Sequence, residues 1–144
     1  KTRWPPPAIS TRYFGGSMPS YPALLSARSM MPSLVPSITM PGTSGTGTNP
    51  EQLFAIGYAA CFHSALRLVA RQEKADVSDS TVGSRVSIGT LDNGGFGLAV
   101  ELEVTLPNVD HATAQALAEK AHQVCPYSNA TRGNIDVTLV VTDD

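Results

Sequence analysis

Residues Leu53 to Val69 carry apolar side chains on nearly every face of a helix, and the polar run of Arg67, Arg71 and Gln72 arrives only at its end. A helix that is hydrophobic all round has to be covered on all sides. It is therefore read as the central helix of a domain or of an oligomer, and the rest of the chain must wrap it. Its start is marked as clearly as its middle. Asn49 is a good N-cap, Pro50 suits the first helical position, and Gln52 stands where a capping box puts its side chain.

The segments after this helix supply the wrapping. Val82, Val86 and Ile88 alternate with Gly83, Arg85 and Ser87, and after the turn Asp92-Asn93-Gly94-Gly95 the residues Leu98, Val100, Leu102, Val104 and Leu106 alternate with Ala99, Glu101, Glu103 and Thr105. A period of two on both sides of a glycine turn predicts a hairpin with one buried face. Asp110 caps a second helix with Ala114, Leu117, Ala121 and Val124 on one side, Pro126 ends it, and Asn129 to Asn134 reads as a polar loop. Ile135, Val137, Leu139 and Val141 form a last strand. Helix, hairpin, helix, strand is an α+β order, expected as an antiparallel sheet with one face on helices.

The first fifty residues differ in kind. They hold no acid and four bases (Lys1, Arg3, Arg12, Arg28), whereas residues 51–144 hold all 12 acids and six bases, so +4 and −6 make up the net −2. Nine of the 11 prolines lie in this segment, which excludes a long helix or a central strand there. The lack of acids resembles an organellar transit peptide, but the proline density spoils the amphipathic helix of such peptides. An irregular arm over residues 1–44, with a short edge strand at Leu34–Met40, and a folded domain over 45–144 is the division expected. The chain of 144 residues suits one domain, with about 70% of its unfolded surface buried. Its balance of charge lacks the basic excess of a nucleic-acid binder, no run reaches about 18 uninterrupted apolar residues, and two cysteines are too few for a secreted disulfide scaffold. No nucleic-acid partner, membrane or metal is expected, and the chain is placed in the cytoplasm.

The chemistry-bearing residues are few. Cys61 lies midway along the apolar helix and Cys125 at the end of the second helix; each reads equally well as a small buried hydrophobe. Glu51, in the first helical turn, suits the macrodipole or an anchor for an arginine that activates a thiol. Ten residues, about 15 Å, separate it from Cys61 along a straight helix. The two meet only if two copies of the helix pack antiparallel about a twofold axis. His63 points away from Cys61, and His122 falls on the exposed side of its helix by spacing. Tyr127, Asn129 and Arg132 follow Cys125 in a loop, where sites tend to be built.

Two long signatures carry a resemblance. Gly47 to Ala55 (GTNPEQLFA), followed by Gly57 to Phe62 (GYAACF), and Ala121 to Asn134 (AHQVCPYSNATRGN) closely resemble the organic hydroperoxide resistance (Ohr) branch of the OsmC-like family. The resemblance spans residues 45–142. It implies an intertwined homodimer with paired central helices, and a thiol peroxidase that reduces organic or lipid hydroperoxides. It also implies Cys61 as peroxidatic cysteine, Cys125 as resolving cysteine in a Cys61–Cys125 disulfide, and Glu51 as the carboxylate that holds a catalytic arginine. No cofactor is implied, only an external dithiol reductant of the dihydrolipoamide or lipoylated-protein type. The apolar residues Phe54, Tyr58 and Phe62 would favour alkyl substrates.

The chain departs from that branch in its arm. Serine follows the pair Gly15-Gly16, at Ser17, where the family has its arginine. Arg12 and Arg28 stand at no matching position, so the arginine is unassigned. A catalytically impaired dimer serving as a redox-sensitive or ligand-binding scaffold is the alternative to an active peroxidase, and a plain structural domain with two inert cysteines is the third reading.

Overall fold

The computed structural model describes residues 11–15 and 48–142. Ser17, Arg28 and the strand expected at Leu34–Met40 lie outside them. Four strands form one sheet in the order β1 (Thr11–Gly15), β2 (Thr81–Thr90), β3 (Phe96–Thr105), β4 (Asp136–Thr142). Among the described residues three helices accompany it: α1 (Pro50–Glu73), α2 (His111–Val124) and α3 (Pro126–Thr131).

The start of α1 follows from its cap. The Gln52 N–H donates to Asn49 Oδ1 at 2.8 Å while the Asn49 N–H donates to Gln52 Oε1 at 3.1 Å, so both sides of the capping box are made. At the other end Lys74 turns left-handed, φ 58°, and its N–H returns to the carbonyls of Ala70 and Arg71. Between them Tyr58, Phe62 and Leu66 are wholly buried with Val82, Val86, Leu102 and Val104 of the hairpin. Each such side chain contributes about 1.5–3 kcal/mol by leaving water. The opposite side of α1 is left open by the described residues: Leu53 is 42% and Leu68 49% exposed. By length and composition α1 is apolar enough to cross a membrane, but half of it is buried inside the fold, as in the core helix of a globular protein.

Strands β2 and β3 pair antiparallel from Thr81↔Thr105 to Thr90↔Phe96, and β1 adds antiparallel to β2. Gly94 takes φ +81° in the connecting turn, and the Gly95 N–H donates to Asn93 Oδ1 at 3.0 Å. The registered pair Arg85–Glu101 forms an ion pair at 3.0 Å. The last strand corrects the expectation of an antiparallel sheet. β4 runs parallel to β3, from Ala99↔Asp136 to Thr105↔Thr142, and the sheet is mixed. The connection explains it: residues 106–135 carry α2 and α3, long enough for the crossover that a parallel neighbour needs.

The segment read as a polar loop at Asn129–Asn134 also differs. Proline at its first position and the buried Ser128 and Thr131 make Pro126–Thr131 a short helix, and the irregular chain begins only at Arg132. Asp110 caps α2, accepting from the Thr113 N–H at 3.0 Å, and Ala114, Leu117, Ala118 and Ala121 are buried.

His63 links α1 to the entrance of β2. It is 8% exposed, with Nε2 2.9 Å from Ser80 Oγ, and Ser80 Oγ donates to the Val77 carbonyl at 2.7 Å. The serine proton is thus used, and the imidazole Nε2–H is the donor. Burial, and secondarily the charge of Arg67, holds the His63 imidazole below its ordinary value of 6.5. As pH falls below about 6.5 the unfolded chain binds a proton that the folded chain refuses, so stability declines until the lowered folded value is passed. Urea midpoints at about pH 7.5 and about pH 5.5 should show this loss in the wild type and a smaller loss in His63→Gln. Equal losses in both would contradict the assignment to His63.

Candidate active site

The two cysteines, 64 residues apart, come together. Cys61 is half-buried on α1, Cys125 is fully buried between α2 and α3, and their Sγ atoms lie 3.6 Å apart with both thiols free. The proline after Cys125 disfavours helical backbone there, and Cys125 takes φ −65°, ψ 124°. It closes α2, its N–H bonding to the Ala121 carbonyl, and opens α3. A disulfide needs sulfurs about 2.05 Å apart, so a closure of about 1.5 Å would join them.

Electrostatics at Cys61 are mixed. Burial pushes its thiol up, the Tyr127 backbone N–H pulls it down by donating to sulfur, and the hydrogen bond and charge of Cys125 raise it again. Burial prevails, and the thiol lies above its ordinary value. Cys61 also lines an open pocket of about 390 Å³ whose other walls are Ser64, Ala65, Leu68, Val124 and Pro126. Val124, 48% exposed, and Leu68 make its rim apolar. Cys125 is not among the lining residues.

Aromatic rings flank the pair. Tyr127 stacks on Phe54 with centroids 6.1 Å apart and tilts against Tyr58 at 5.6 Å. Gly57 makes room for it: a Cβ there would stand 3.2 Å from the Tyr127 hydroxyl oxygen. Tyr58 and Phe62 are both wholly buried in the core, and neither lines the pocket beside Cys61, so the apolar surroundings expected of them fall to Leu68 and Val124 instead.

Glu51 stays apart from Cys61 within the chain, ten residues or about 15 Å along α1. Its Oε2 is buried with no hydrogen-bond partner among the described residues. A buried carboxylate oxygen left so calls for a cation or donor from outside this set. Arg12 lies in β1, its backbone opposite Arg85. Neither His63 nor His122 hydrogen-bonds to a cysteine. His122 is half-buried rather than exposed, with its Nδ1 buried and unpartnered and its carbonyl accepting from Arg132 Nη2 at 2.9 Å. Among the described residues no group of three His, Cys, Asp or Glu is placed to hold a metal.

Sequence reasoning passed over Ser128, Thr131 and Leu68, and it set Val124 on the apolar side of its helix with Ala114, Leu117 and Ala121, whereas Val124 is exposed on the rim of the pocket. The first two were detectable: their spacing of three puts them on one side of a short helix, once Pro126 is read as a helix start instead of a stop.

Comparison with known proteins places the chain in a family. The family model described as OsmC-like protein matches residues 42–140. The organic hydroperoxide resistance protein of Xanthomonas axonopodis pv. citri is 57% identical over 101 residues, which cover 69% of this chain and 70% of that one. The organic hydroperoxide resistance protein OhrA of Bacillus subtilis is 48% identical over 111 residues, covering 74% and 79%. A crystal structure of an organic hydroperoxide resistance protein from Elizabethkingia anophelis, with thiocyanate bound, superposes with a TM-score of 0.68 at 53% identity over 74% of this chain and 79% of that one. The chain belongs to the OsmC-like family, in its organic hydroperoxide resistance branch.

Proposed function

We propose that this chain is a thiol peroxidase that reduces organic hydroperoxides to alcohols. The observation that carries the reading is the 3.6 Å contact between two free thiols, one of which lines an apolar pocket while the other is buried behind it. The names of the relatives support the class of substrate. In the reaction the Cys61 thiolate attacks the distal peroxide oxygen, the O–O bond breaks, and the alkoxide leaves as the alcohol after taking a proton. Cys61 becomes a sulfenic acid. The Cys125 thiolate then attacks Cys61 Sγ, the S–O bond breaks, and hydroxide leaves as water. An external dithiol of the dihydrolipoamide type reopens the disulfide by two exchanges, becoming a cyclic disulfide itself.

The protein works as a homodimer in the cytoplasm in this reading. The uncovered apolar side of α1, with Leu53 and Leu68 at its ends, supports a second copy packed there. Antiparallel helices would bring Glu51 of the partner subunit near Cys61, and an arginine held between them would keep that thiol ionised. A second reading, the catalytically impaired scaffold, is favoured by one observation: among the described residues no cation pairs with Glu51, and the Cys61 thiol is raised.

Stopped-flow mixing with tert-butyl hydroperoxide separates the two. The peroxidase loses two thiols per chain for each hydroperoxide consumed, and no thiol loss leaves the scaffold. Because the raised Cys61 thiol must ionise to react, its rate should climb with pH, about tenfold per unit below the thiol's pKa. A rate already level below pH 7 would show that a cation holds the thiolate. For the dimer, sedimentation at micromolar concentration should give twice the 15.1 kDa chain mass. A single species of one chain would contradict it.

A further inference from the structure

We propose that Tyr58 is a positioning residue for the resolving step: its hydroxyl, through Ser128 and Thr131, holds α3 against α1 at the spacing where Cys125 meets Cys61. The inference rests on the peroxidase reading above and adds a residue to it. Tyr58 is wholly buried, and its hydroxyl donates to Ser128 Oγ at 3.0 Å and lies 3.1 Å from Thr131 Oγ1. Thr131 Oγ1 in turn lies 2.9 Å from the Tyr127 carbonyl oxygen. The hydroxyl thus ties one residue of α1 to the middle and the last residue of α3 and, through Thr131, to the carbonyl of Tyr127, two residues past Cys125.

The numbering shows how close this tie is to the sulfurs. Tyr58 stands three residues before Cys61 on α1, and Ser128 three residues after Cys125. Three residues of helix are about one turn, or 4.5 Å. The Tyr58–Ser128 bond and the Cys61–Cys125 contact are adjacent rungs between the same two segments, running in opposite directions. A phenylalanine at 58 would fill the same core volume and keep the ring contact with Tyr127. Only the hydroxyl reaches α3, and burying it requires partners of the kind that Ser128 and Thr131 provide.

The consequence is kinetic. Once Cys61 is a sulfenic acid, two reactions compete for it. Cys125 attacks from within the chain, at a rate set by how well it is held in reach. A second hydroperoxide transfers an oxygen to the same sulfur, leaves as a second alcohol, and yields a sulfinic acid that the dithiol does not reduce. Loosening α3 slows the first reaction and leaves the second unchanged.

The test is graded tert-butyl hydroperoxide on reduced wild type, on Tyr58→Phe, and on the double variant Ser128→Ala/Thr131→Val, with disulfide and sulfinic products counted by intact mass. Whatever their rate of Cys61 thiol loss, both variants should reach half sulfinic acid at about tenfold lower hydroperoxide than the wild type, the factor a lost buried hydrogen bond is worth. A folded variant of either kind that keeps the wild-type product ratio overturns the inference, even if its urea midpoint has fallen. Should Tyr58→Phe fail to fold, the double variant decides by the same criterion. A wild type that forms the disulfide while its variants match it overturns the tie alone. A wild type that forms sulfinic acid with no disulfide at any dose overturns the peroxidase reading and the inference together.

Discussion

Burial of one side of α1 against the hairpin fixes everything else in this fold. Tyr58, Phe62 and Leu66 recur every four residues along that side and are closed off by Val82, Val86, Leu102 and Val104. With the helix pinned by these contacts and by its capping box, the positions of Cys61 and Gly57 relative to the sheet are no longer free. The second half of the chain is then brought to α1 by two contacts of a different kind: a ring laid on Gly57 and a buried hydroxyl shared with α3. Apolar burial gives the helix its place, and directional bonds give the sulfurs theirs.

The same burial works against the chemistry. A thiol moved out of water is a poorer acid, and the one backbone N–H that faces Cys61 does not outweigh that loss. Glu51 shows the matching deficit, an acceptor oxygen in the interior without a donor among the described residues. Both deficits are relieved by one cation set between a carboxylate and a thiol. The distance along α1 means that a single straight helix cannot present both to it.

Much of this was legible in the residues. The capping box at Asn49 and Gln52, the alternation of β2 and β3 and the glycine turn between them are short-range signals, and each stands in the structure where its pattern puts it. The parallel pairing of β4 was not legible, because alternation reports which face is buried and is silent on direction. The short helix after Cys125 was hidden by reading Pro126 only as a terminator. The meeting of Cys61 and Cys125 lay beyond periodicity altogether, since nothing within either helix encodes a contact across 64 residues; the resemblance of the two signatures was the route to it. The half-buried His122 was misjudged because spacing counts the helix's own faces and leaves out Arg132, which returns from the next segment.

The central claim is that Cys61 and Cys125 of one chain are redox partners. The most direct measurement is non-reducing peptide mapping of protein treated with one equivalent of cumene hydroperoxide. The account predicts a Cys61 peptide joined to a Cys125 peptide within a single chain, reversed by dihydrolipoamide. Cys125 recovered as a free thiol, with Cys61 carrying oxygen or linked to a second chain, would contradict it.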